Sequence, residues 1–158
     1  MKSICKVSVI ILSFVISCIA LLCITATVFP YISDYFDEFT RSLPKCTDKF
    51  EYIEGGFGDF TTYGEYYYNE NTIEEFKNNK YFSAVNDSNI PDIKGYFENF
   101  EQILMFFEHK DKYTFDKTQI KEGDYFYIKT LYDEPYYNYD VYYVDTDKMI
   151  MYHIHNNI

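Results

Sequence analysis

The sequence predicts an α+β protein: an N-terminal transmembrane helix, then one or two helices packed on a C-terminal antiparallel three-strand meander. Three observations predict it. The stretch from Val7 to Phe29 carries no charge, residues 87–109 repeat apolar side chains at a helical period, and residues 124–155 hold three β-rich runs separated by turn residues.

The uncharged stretch is long enough, at 1.5 Å rise per residue, to span roughly 35 Å, against a hydrocarbon core of about 30 Å. Pro30 follows it, and Phe29, Tyr31, Tyr35 and Phe36 supply the aromatic residues expected at a membrane–water boundary. The predicted organisation is a cytoplasmic tail (1–6), a transmembrane helix (7–29), a juxtamembrane segment (30–49) and an extracytoplasmic domain (50–158). Two alternatives stand beside the uncleaved anchor. Val15-Ile16-Ser17-Cys18 fits a lipoprotein cleavage box with lipidation at Cys18, and a peptidase could cut after Ala20. Either cut leaves a strongly apolar stretch up to Phe29 instead of a polar tether, so the anchor is the reading adopted. Lys2 and Lys6 abut the span and place the N-terminus inside; Arg41, Lys45 and Lys49 on the far side oppose that orientation.

Beyond the span, "SDYFDEFTRSL" (33–43) places Tyr35, Phe36, Phe39 and Leu43 at helical spacing, with Ser33 or Asp34 as cap and Pro44 as stop. "FEYIEGGFGDFTTYGEYYYN" (50–69) has aromatics every two or three residues with glycines between, which reads as strands or loops broken by bends. Thr72 and Glu75 have the spacing of a capping box for a helix over 71–82. In 87–109, Pro91 suits a first turn, and Ile93, Phe97, Phe100, Leu104 and Phe107 form one stripe. The run "ILMFF" blurs that stripe at its end. "GDYFYIKTLY" (123–132) alternates Phe126, Ile128 and Thr130 against Tyr125, Tyr127 and Lys129. "NYDVYYVDTDKMIMYHIH" (138–155) reads as a hairpin turning at Thr146-Asp147.

Composition narrows the partners. From Asp34 onward 12 basic residues face 25 acidic ones, a formal charge of −13. Such a surface repels phosphate backbones, which excludes nucleic acid as a partner. The expected partners are the lipid bilayer, through 7–29, and an envelope protein or glycan. All 19 Tyr and 13 of the 15 Phe follow residue 29, enough apolar area for a core. Cys46 is the one cysteine beyond the N-terminal segment, so the domain cannot hold an internal disulfide.

His153 and His155 are the sharpest pair, because residues two apart on a strand share a face. With a turn at Thr146-Asp147, Asp140 falls opposite His153, and the three become a candidate metal set; His109 is the only further histidine. Tyr125 and Tyr127, with Tyr136, Tyr137 and Tyr139 in the adjoining connection, are a candidate interaction surface. Asp145 and Asp147 read as turn chemistry, and Asn86-Asp87-Ser88 as a glycosylation sequon or a helix cap. The sequence has no HExxH, GxSxG, CxxC or phosphate-loop motif, and no cofactor is expected.

"EGGFGDFTTYGEYYY", "GYFENFE", "GDYFYI" and "VYYVDTDKMIMYHIHNNI" together resemble short exported or membrane-anchored proteins of Gram-positive bacteria. The resemblance implies an envelope location and brings no activity or site residue. The helix-plus-meander outline is similar to cystatin-like and NTF2-like folds in shape alone. The expectation from residues and resemblance together is a non-catalytic interaction or ligand-sensing module, with a metal-dependent enzyme built on His153 and His155 as the rival.

Overall fold

The computed structural model describes residues 37–55, 60–108, 110–130 and 134–157. The chain divides between Leu43 and Pro44 into two units. The described part of the first is a single turn of helix, α1 (Glu38–Ser42), whose N-cap is Asp37, with its side chain accepting from the Phe39 N–H. The predicted caps Ser33 and Asp34, Cys18 and the predicted span 7–29 all lie outside the described residues. Among the described residues no helix is long and apolar enough to cross a membrane.

In the second unit the expected three-strand sheet is corrected to six strands. They are β1 (Asp48–Gly55), β2 (Phe60–Tyr67), β3 (Ser83–Ala84), β4 (Tyr125–Thr130), β5 (Tyr139–Asp145) and β6 (Ile150–Asn157). The order is β1-β2-β6-β5-β4-β3, every pair antiparallel. The glycine-broken stretch around residues 50–69 is therefore a hairpin, and its second strand lies along β6, which comes more than eighty residues later. β6 sits inside the sheet instead of ending a meander.

The hairpin register also differs from expectation. The β5–β6 connection takes four residues, 146–149, with Met149 at φ 58°, so Asp145 pairs with Ile150 and Asp140 with His155 instead of His153. Asp145 accepts from the N–H groups of Asp147 (3.1 Å) and Lys148 (3.0 Å), and buried Asp124 accepts from Thr146 N–H (3.0 Å). These carboxylates hold the longer turn.

Two longer helices pack in this unit. α2 (Glu70–Asn78) starts at Asn69 rather than at the Thr72–Glu75 box, and buries Phe76 edge-on against Tyr68 and Phe82. α3 (Ile90–Leu104) has Pro91 in its first turn and buries Ile93, Tyr96, Phe97, Phe100 and Leu104. Those side chains meet Tyr63, Tyr139, Val141, Tyr143, Tyr152 and Ile154, which alternate along β2, β5 and β6 onto one face of the sheet. The helix stops at Leu104, leaving Met105 and Phe106 exposed while Phe107 packs on the core.

Candidate functional site

The face of the sheet opposite α3 carries the polar rings. Pairing across the strands lines up Tyr127, Tyr142, His153, Gly64 and Glu51 in one row, and Lys129, Asp140, His155, Thr62 and Ile53 in the next. Cross-strand neighbours on one face stand close enough to touch. Tyr142 stacks on His153 with ring centroids 4.3 Å apart and planes within 7°, and Tyr127 stacks on Tyr142 at 6.1 Å. Gly64 leaves a gap in this row that the ring of Tyr66 covers: a Cβ at Gly64 would lie 2.8 Å from Tyr66 Cε2. The Tyr66 hydroxyl donates to Glu51 Oε1 at 2.6 Å.

Asp140 is the centre of the second row. Its Oδ1 lies 2.9 Å from His153 Nε2 and 2.9 Å from His155 Nδ1, and all three side chains are mostly buried. Burial alone would raise the Asp140 carboxyl, but the hydrogen bonds and charges of the two histidines outweigh it and hold it well below the usual carboxylate range. With Asp140 ionised, both nitrogens facing it donate. His155 Nε2, on the far side of the ring, is buried without a hydrogen-bond partner among the described residues. Its ring packs against Phe60 at 4.8 Å. Glu51 is likewise held low: burial raises it, and the bonds from Lys49 and Tyr66, with the His153 charge, lower it further.

The predicted residues thus separate. Asp140, His153 and His155 come together, and among the described residues no group of three or more His, Cys, Asp or Glu is placed to hold a metal ion. His109 lies outside the described residues. Tyr127 joins the ring row; half-buried Tyr125 pairs with Val144 one row over, towards the end where the chain enters the sheet. Tyr139 is fully buried and its hydroxyl donates to Asn99 Oδ1 at 2.9 Å, so it belongs to the core. Tyr136, at φ 68°, leans its hydroxyl over Gly95 of α3, and Tyr137 is exposed. Cys46 is a free, half-buried thiol. Asn86 Oδ1 accepts from the Ser88 N–H (3.0 Å) and hydroxyl (2.6 Å), forming the turn that leads into α3.

Sequence reasoning missed Glu51, Ile53, Phe60 and Tyr142. Ile53 is 66% exposed and Phe60 38%, at the closed end of the β1–β2 hairpin. Tyr137 reaches the same end, since its carbonyl accepts from Asn156 Nδ2 at 3.0 Å and Asn156 pairs with Thr61. The signal that could have found them is β-pairing of 48–55 with 60–67 across the Gly-Gly-Phe-Gly segment. Comparison with protein-family models, curated proteins and solved structures gives no match.

Proposed function

We propose that the chain is a membrane-anchored, single-pass protein whose acidic sheet domain stands outside the cytoplasm and acts as a non-catalytic interaction module of the cell envelope. The uncharged stretch 7–29 supports the anchor. One observation carries the binding role: Ile53 and Phe60 are exposed on one face of the sheet, at the end opposite the point where the chain enters it and beside the Asp140–histidine cluster, and exposed Tyr137 lies at the same end. Large apolar side chains gathered on a rigid edge mark contact surfaces more often than they occur by chance.

The partner that fits is a protein. Tyr142 is stacked between Tyr127 and His153, so both of its ring faces are already occupied, and Tyr81 lies against Tyr127. A sugar platform needs open faces. Ile53 and Phe60 instead suit an apolar protein contact.

The test is photo-crosslinking in intact cells from a crosslinker placed at Ile53 or at Tyr137, with Glu74 on exposed α2 as control. Discrete protein adducts from the first two positions, lost on Phe60→Asp, support the reading. Adducts equal at all three positions, or a domain untouched by protease added to whole cells, overturn it.

A further inference from the structure

We propose that the turn after α3 is a lipid-inserting wedge that presses the domain onto the membrane surface. This inference rests on the anchored reading above. Met105 is 73% exposed and Phe106 90%, the two most exposed large apolar side chains among the described residues. Their exposure is imposed by a pinned backbone. Phe106 N–H donates to Ile103 C=O and Phe107 N–H to Leu104 C=O, both at 3.1 Å, while Leu104 and Phe107 on either side pack into the core. The core therefore presents the pair outward on a fixed turn.

The chain's own uncharged span, together with the local charge, points to a lipid surface as the occupant. A strongly acidic domain is repelled by anionic headgroups over most of its surface. Around the wedge the balance changes: Glu108 and Asp111 are matched by Lys110 and Lys112, the latter two in a 3-10 turn of exposed residues. Lysine stems can lie along an interface with their ammonium groups among phosphates, while a Met-Phe pair reaches the acyl boundary about 5–10 Å below. A chain that carries its own uncharged span holds such a surface within reach at all times, so a weak wedge suffices.

The sequence contains no tryptophan, which makes the test direct. Full-length Phe106→Trp protein is reconstituted into vesicles of phosphatidylethanolamine with a minority of phosphatidylglycerol, with and without brominated acyl chains. Met105→Trp serves as a second reporter, and Glu74→Trp as a water-facing control. The expected result is blue-shifted indole emission for the first two variants, mostly lost with brominated lipid, and neither effect for the control. Water-like, unquenched emission from protein that survives a carbonate wash overturns the wedge and leaves the anchor standing. Blue-shifted emission that bromine does not quench means a protein covers the turn, and also overturns it. Release of the protein by the wash removes the anchor and the wedge together.

Discussion

Raising the pH should unfold the second unit before most of its tyrosines have titrated. Tyr63, Tyr139 and Tyr143 are at most 1% exposed. Burial pushes all three hydroxyls far above the ordinary phenol value; the Glu65 carboxylate adds to this at Tyr63 and the Asp124 carboxylate at Tyr143. A folded-state pKa raised above the unfolded one gives stability that is complete below the unfolded value, about 10, and is lost as pH rises beyond it. In the unfolded chain each phenol ionises freely, so each buried one costs about 1.4 kcal/mol per pH unit above that point. At about pH 11 the three together remove about 4 kcal/mol, a large part of the roughly 5–15 kcal/mol typical of a domain. The assay is tyrosinate absorbance followed together with far-ultraviolet circular dichroism. The expected titration is biphasic, with exposed phenols first and then a cooperative step in which the remaining absorbance and the loss of β-signal coincide. One smooth ionisation of all 19 tyrosines with the β-signal intact would refute the reasoning.

Acid should act by the mirror-image route. Asp140, Glu51 and Glu65 are all held below the ordinary carboxylate range, so their contribution is present above about pH 4 and lost as pH falls below it. The urea midpoint should therefore drop steeply below about pH 4, and less steeply in Asp140→Asn. Phe97→Ala empties a site with no exposure in the centre of the helix–sheet core and should cost about 3–5 kcal/mol in urea unfolding. Gly64→Ala should drive the Tyr66 ring off Glu51 and cost about 1–2 kcal/mol, a loss that disappears when Tyr66 is first replaced by Ala.

Local pattern carried some of this fold and none of its long-range pairing. The stripe Ile93, Phe97, Phe100, Leu104 is legible because a helix buries one face at a fixed period, and those four side chains are buried. The alternation in 139–145 and 150–157 is legible for the same kind of reason. Its register was not, since a two-residue turn and the observed four-residue turn share their residue types; the four-residue form depends on Asp124, a remote acceptor, and on a left-handed Met149. Lengthening the turn by two shifts each pair by two and leaves every side chain on its face. Asp140, His153 and His155 consequently meet although the partner strand position changed. β2 escaped recognition because glycines and unalternated aromatics hide its period, and its second neighbour, β6, lies at the other end of the chain. The exposure of Phe106 was hidden too: "ILMFF" reads as continuous apolar chain, and only the turn after the helix end at Leu104 sets Met105 and Phe106 outward between buried Leu104 and core-packed Phe107.

The abundance of tyrosine explains where several acids go. A phenylalanine core can be dry, but each buried phenol needs an acceptor for its hydroxyl. Tyr63 and Tyr67 both donate to Glu65, at 2.6 and 2.5 Å, and Thr114 joins them on the same carboxylate. Tyr143 donates to Asp124, which is wholly buried, and Tyr139 to Asn99. On the opposite face the arrangement repeats with Tyr66 on Glu51 and two imidazoles on Asp140. Part of the acidity that a composition count assigns to the surface is therefore an acceptor set for the interior. Replacing Tyr63 by Phe would not simply remove a hydroxyl; it would strip one donor from an ionised, nearly buried Glu65, whose remaining donors are Tyr67 and Thr114. Core phenols and core carboxylates here stand or fall as pairs. Tyrosine count alone thus says little about an interaction surface, and the contact residues are better sought among Ile53, Phe60 and Phe106, which no hydrogen bond draws inward.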